Sequence, residues 1–281
     1  MCSLCRVPAL LALLSSAMWG SADYLAGRLS RSRPVLLVLG VSQAAGLLVM
    51  LLAATWSGAW GAPTGYLGWA VLASLAGAAG LAAYYRALAI GTMGVVSPIA
   101  ALGVAVPLAV GFQAGERPAA GALAGIALAV VGVVLASGPE VRGAAGWAPV
   151  GLAGLAAILL GTTVAAIAKG SESSVVMTMT AMRLVTVTLM AVGLLVLRPR
   201  LAVTVRDLPG LGMVGALDVG ANLAFGAAST LGLLTLVSVL GALYPVATIL
   251  LARGLDGERL ARVQQAGVAL TLAGAALISA A

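Results

Sequence analysis

The sequence predicts an all-α integral membrane protein, with ten transmembrane helices arranged as an inverted five-plus-five repeat. Three observations lead there. The 281-residue chain is 62% hydrophobic and 8% charged, where a soluble domain carries about a quarter charged residues. Ten apolar segments approach or exceed the roughly 20 residues needed to cross a bilayer as a helix. The chain also contains a near-copy of itself: GERPAAGALAGIALAVVGVVLAS at 115–137 and GERLARVQQAGVALTLAGAALIS at 257–279 are identical at 11 of 23 positions under a shift of 142. Such duplicated apolar halves are a hallmark of transporters built from internal repeats.

The expected spans are 8–27, 35–55, 66–90, 94–113, 118–137, 147–168, 173–197, 208–232, 234–252 and 260–280. Breakers or charges separate most of them, among them RLSRSRP at 28–34, GER at 115–117, SGPEVRG at 137–143 and ARGLDGER at 252–259. The joints at 91–94 and near Gly232 rest on length instead, because each uninterrupted run is about twice a bilayer's thickness. The first repeat is 1–140 and the second 141–281, in one membrane domain. Five spans per half is an odd number, so the second half inserts upside down and both termini share one side. Pairs such as Gly111/Gly115 and Gly121/Gly125 are GxxxG motifs that let helices approach closely.

Charge excludes several functions. The formal net charge is +7, but the basic residues are scattered through short loops without interleaved aromatics, so no nucleic acid is expected as a partner. Cys2 and Cys5 form a CxxC with no further Cys and no His, short of the four ligands of a structural zinc site. No metal or other cofactor is expected. Lys169 lacks P-loop glycine spacing, and no nucleophile–His set exists, so an enzyme is not expected. Arg6 before an apolar run reads as an uncleaved first helix.

Orientation follows from the arginines. Apart from Arg183, loops 1/2, 3/4, 5/6, 7/8 and 9/10 with their flanks hold eleven basic residues, and the termini and other loops hold three. The positive-inside rule then places both termini outside the cytoplasm.

The span ending in MWGSADYLAG, the Pro…GER joint followed by G-x-A-L-x-x-x-G, and its echo at Tyr244-Pro245…GER resemble the EamA-like family of the drug/metabolite transporter superfamily. The resemblance covers both repeats. It implies a ten-helix secondary transporter of the plasma (inner) membrane, exporting a small organic solute such as an amino acid, metabolite or drug. It implies a central cavity between the repeats, with the fifth and tenth helices in support. It also implies cytoplasmic termini, against the charge count. Gly103 stands in the first repeat where the second has Pro245.

Ionisable residues inside spans are costly, about 2.5–3.5 kcal/mol on insertion scales, and are functional candidates by default. They are Asp23, Arg86, Arg183 and Asp218. Arg86 is near a span end and can snorkel. Asp23 is either a solvated mouth residue or a cavity residue. Arg183 and Asp218 are near mid-span and read in two ways: a silent ion pair, or a site in which Arg183 receives a substrate carboxylate or Asp218 carries a coupling proton. Asn222, four residues on, shares the helix face of Asp218, and Gln43 is the approximate counterpart of Arg183 in the first repeat. Pro98, Pro107 and Pro245 interrupt the fourth and ninth spans and free carbonyls, which places those helices along a pathway or marks packing kinks. Tyr244 offers a hydroxyl and a ring. Glu116 and Glu258 read as caps of the helices that follow them. The expected partners are a small-molecule substrate and the lipid bilayer, with a proton as candidate coupling ion, in a monomer or homodimer. A membrane subunit of a larger pump is the alternative.

A cysteine at Ser32, in a Cys2→Ser, Cys5→Ser background, is expected to be shielded from an impermeant thiol reagent in intact cells. Labelling without permeabilisation would reverse the orientation.

Overall fold

A computed structural model describes residues 3–30, 33, 35–91, 93–136, 147–197, 204–256 and 261–280. Apolar side chains leave the backbone no partner in lipid but itself, so the described residues are overwhelmingly helical. The helices are α1 (Ser3–Ser30), α2 (Val35–Trp56), α3 (Tyr66–Ile90), α4 (Met93–Ala101), α5 (Ala105–Gln113), α6 (Ala120–Ala136), α7 (Trp147–Ser171), α8 (Val175–Leu197), α9 (Leu208–Leu231), α10 (Leu234–Gly241), α11 (Tyr244–Asp256) and α12 (Arg262–Ala280). Among the described residues, eight stretches are long and apolar enough to cross a membrane, and Ala120–Ala136 is a shorter apolar helix. The remaining helix, α1, is 28 residues long and carries Arg6, Asp23 and Arg28.

The duplication extends to the element bounds. Adding 142 to α2, α3 and α6 gives 177–198, 208–232 and 262–278, close to α8, α9 and α12. The two broken spans correspond in the same way. A single 3-10 turn, Leu102–Val104, separates α4 from α5, and Ala242–Leu243 separates α10 from α11. The fourth and ninth expected spans are thus two helices each. Pro98 lies within α4, Pro107 within α5, and Pro245 is the second residue of α11.

The helices pack across the repeats. α3 lies against α7, α1 against α9, and α6 against α12. Position by position, Pro8 meets Gly232, Met18 meets Gly220 and Leu29 meets Gly210, so α1 and α9 are antiparallel. α6 and α12 are also antiparallel: Gly125 faces Gly274 and Ile278, while Gly267 faces Ala136. α2 opposes α8 in the same sense, with Gln43 at Arg183 and Met50 at Thr180. The α6–α12 seam uses Gly125, Gly132, Gly267 and Gly274, all buried, whereas Gly121 is exposed. The GxxxG pair at 121/125 therefore contributes one residue, because a seven-residue spacing keeps small residues on one face of crossing helices better than a lone four-residue step.

Two faces result. One gathers the start of α1, the α9/α10 joint, and the α2/α3 and α6-leading joints; there Gly65 meets Ser173 and Glu116 meets Leu234. The other gathers the ends of α1 and α11 and the start of α9, where Arg28 pairs with Asp256 at 3.8 Å and Arg33 with Asp207 at 2.9 Å. We call these the terminal face and the arginine face. Asp207 lies outside the long helices. The Thr204 hydroxyl, with Arg33, holds its carboxyl below the usual carboxylate range despite desolvation. Trp56 and Trp60 lie on the terminal side and Trp147 on the other, all exposed, as expected of rings at the two membrane–water interfaces.

A Cβ at Gly274 would lie 2.5 Å from the Ala129 nitrogen and 2.7 Å from the Gly125 oxygen. Gly274→Leu is therefore expected to destabilise by about 1–3 kcal/mol through overpacking. Thermal unfolding in detergent measures this, with Gly254→Leu, where nothing lies within 4 Å, as the unaffected control.

Candidate substrate site

The mid-span polar groups come from three helices. α8 supplies Arg183, α9 supplies Asp218 and Asn222, and α2 supplies Gln43. Arg183 Nη2 donates to Asp218 Oδ2 at 2.5 Å, and Nη1 donates to Gln43 Oε1. Asn222 Nδ2 donates to Asp218 Oδ1 at 3.1 Å and to the Asp218 carbonyl at 2.6 Å, one helical turn back. The shared face expected for Asp218 and Asn222 is thus a direct bond. Arg183 is 4% exposed, with Nε buried and unpartnered, so its guanidinium presents no free edge to a solute in this conformation. The Asp218 side chain is 25% exposed, so its carboxylate is the part of the pair that reaches open space.

Asp23 approaches from α1. It follows Gly20 and Trp19 by three and four residues, which places the three on one helix face. Gly20 lets α1 close on the broken ninth span: a Cβ there would lie 2.6 Å from the Tyr244 carbonyl, and Thr248 Oγ1 donates to the Gly20 carbonyl at 3.1 Å. Trp19 stands edge-on to Tyr244, with ring centroids 6.3 Å apart, and tilted to Phe225 at 5.6 Å. Asp23 is exposed and interacts electrostatically with Asp218, Tyr85 and Tyr244. Among the described residues it has no hydrogen-bond or ion-pair partner. Its neighbour Tyr24 points the other way: buried, it donates to Asp256 Oδ1 at 3.0 Å and accepts from Arg28 at 3.3 Å.

The structure therefore brings Asp23, Asp218, Arg183, Asn222 and Tyr244 towards one region. Arg86 is exposed and has no place in that cluster. The α4/α5 break packs elsewhere, with Gly103 against the Ala157 carbonyl of α7. A small apolar gap lined by Ala101, Val104, Val133, Val239 and Ala242 lies where both breaks meet α6. Sequence reasoning missed Trp19 and Tyr85. For Trp19 the signal was available, since it precedes Asp23 by one helical turn. Tyr85 carries none, because its place depends on where α3 packs.

Glu116 corrects an expectation. Its carboxylate does not cap α6, which begins four residues later. It crosses to the second repeat and accepts from Leu234 N at 2.6 Å and Thr235 N at 2.8 Å, at the start of α10. The reason is the left-handed turn at Gly115, φ 87°, which is open to glycine and directs the chain inward before α6 starts. Glu258 and Cys2 lie outside the described residues. No group of three or more His, Cys, Asp or Glu is placed to hold a metal ion among the described residues.

Packing differs along the ninth span. α10 is buried at every residue but Leu236, whereas on α11 only Val246 is buried. α10 is thus enclosed by the bundle, whereas most of α11 is only partly covered.

A duplicated, multi-pass apolar bundle with broken helices and a mid-bilayer polar cluster is the architecture of a membrane transporter. The chain belongs to the EamA-like transporter family, which it matches over residues 6–138 and 147–280. That family is part of the drug/metabolite transporter superfamily. The fold is similar to that of a solved crystal structure at 20% identity, with a TM-score of 0.77 over 99% of this chain and 96% of the other. No curated protein matches the chain.

Removing one partner of the buried pair strands the other. Arg183→Met alone, or Asp218→Leu alone, is expected to cost about 3–5 kcal/mol, read as a lowered unfolding temperature of the purified protein.

Proposed function

We propose that this protein is a secondary transporter of the plasma (inner) membrane that exports a small organic solute by alternating access. The solute, or a coupling proton, meets Asp218 and Asp23, with Asn222 and Tyr244 beside them. Arg183 fixes the position of Asp218. The observation that carries this reading is the costly polar cluster at mid-bilayer, set beside a broken helix whose two halves differ in packing. One half, α10, is enclosed by the bundle, and the other, α11, is only partly covered.

The ten-span, inverted five-plus-five arrangement is part of the same proposal. It is supported by α2 and α6 running antiparallel to their own counterparts, α8 and α12. An inverted repeat supplies two near-equivalent packings, related by exchange of the halves, and hence two access states. Pro98, Pro107 and Pro245 mark the helices that would bend between them.

The double variant Arg183→Met with Asp218→Leu separates a structural pair from a working one. Removing both charges leaves neither stranded, so the protein is expected to fold and reach the membrane. It is nevertheless expected to lose export. The solute comes from comparing metabolites of a deletion strain with those of an overproducer, and flux is then measured in proteoliposomes. Export at the parental rate by the double variant would reduce the pair to packing.

A further inference from the structure

We infer that the group recognised at this site is an organic cation, an ammonium or its quaternary equivalent, held by the Asp23 and Asp218 carboxylates beside the rings of Trp19 and Tyr244. The inference rests on the transporter reading and adds the substrate class to it.

The argument is one of charge and of unused bonding capacity. Arg183 and Asp218 neutralise each other at 2.5 Å. The guanidinium is spent on Asp218 and Gln43 and is 4% exposed. Once ionised, Asp23 adds a negative charge that no cation among the described residues is placed against. The charged group acting on it is a second carboxylate, Asp218. Ionised carboxylates only accept hydrogen bonds. Of the Asp218 oxygens, Oδ2 is taken by Arg183 and Oδ1 by Asn222, with part of the side chain still open. The Asp23 oxygens have no donor among the described residues. An ammonium brings the donors and the charge that this surface lacks. A carboxylate or phosphate would face acceptors rather than donors, and the one buried cation among the described residues is turned away.

The walls fit the same ligand. One turn before Asp23, the Trp19 ring stands at right angles to Tyr244, and Tyr244 and Tyr85 are exposed. Ring faces attract cations electrostatically when the cation comes within about 6 Å of the centroid. Carboxylates together with aromatic faces select a cation with an apolar body over a hydrated metal ion, which demands oxygen ligands in larger number.

The test uses the full-length protein in lipid nanodiscs at pH 7.5, titrated calorimetrically with phenethylammonium, tetraethylammonium and tetraphenylphosphonium. 3-Phenylpropionate and tetraphenylborate serve as partners of matching shape and opposite charge. At least one cation is expected to bind saturably, at least tenfold tighter than its anionic match. Asp23→Asn is expected to weaken that binding at least tenfold without loss of folding, because the Asp23 side chain has no hydrogen-bond or ion-pair partner among the described residues. Asp23→Glu is expected to restore most of it. Failure of all three cations to bind, tighter binding of the anions, or an Asp23→Asn variant within twofold of the parent overturns the inference. The transporter reading fails separately. If proteoliposomes export an anionic or neutral solute, and the Arg183→Met, Asp218→Leu variant does not, transport at this site stands and the cation class falls.

Discussion

A peptide group inside hydrocarbon has no water to bond with, and each one left unpaired costs several kcal/mol. That constraint shapes the molecule. It makes the described residues helical almost throughout, and it sets a condition wherever a helix is interrupted. The α9/α10 joint meets the condition through Glu116, whose two carboxylate oxygens take the first amides of α10. The Ala242–Leu243 joint meets it by short turns: Ala242 N reaches the Ser238 carbonyl at 2.9 Å and Val246 N the Leu243 carbonyl at 2.9 Å. Breaks are therefore tolerated where protein surrounds them, and both broken spans lie against helices of the opposite repeat.

Close approach between the repeats follows from the same setting. Lipid removes the hydrophobic drive that would bring helices together, so contact depends on small residues and on interhelical bonds. Gly20, Gly103, Gly215 and Gly274 each stand where another helix's backbone passes. The polar cluster is the second kind of link. Gln43, Arg183, Asp218 and Asn222 join α2, α8 and α9 through groups that would otherwise be stranded. The elements that hold the halves together thus also position the site.

The linear pattern exposed most of the fold. Apolar length located eight stretches able to cross a membrane and one shorter apolar helix among the described residues, the GER repeat exposed the duplication, and prolines indicated which spans break. It also exposed part of the site, because a charge inside an apolar run is conspicuous by cost alone. The rest depended on three-dimensional contact. That Glu116 serves α10 rather than α6 is set by the turn at Gly115 and by a helix 118 residues away in the chain. Asp23 and Tyr24 are adjacent in sequence, yet one faces the site and the other bonds to Asp256. Helical spacing separates their directions, but only the packing of α9 and α11 decides which direction is which.

The reach of Glu116 has a mechanical side. The segment before α6 and the head of α10 belong to different halves, and the carboxylate makes them one lever. Bonds to an ionised group are worth about 1.5–3 kcal/mol each, so neither segment swings alone at small cost. Any displacement of the segment before α6 would therefore act on the first turn of the other half's broken helix. A single side chain thereby ties the two halves together at the terminal face.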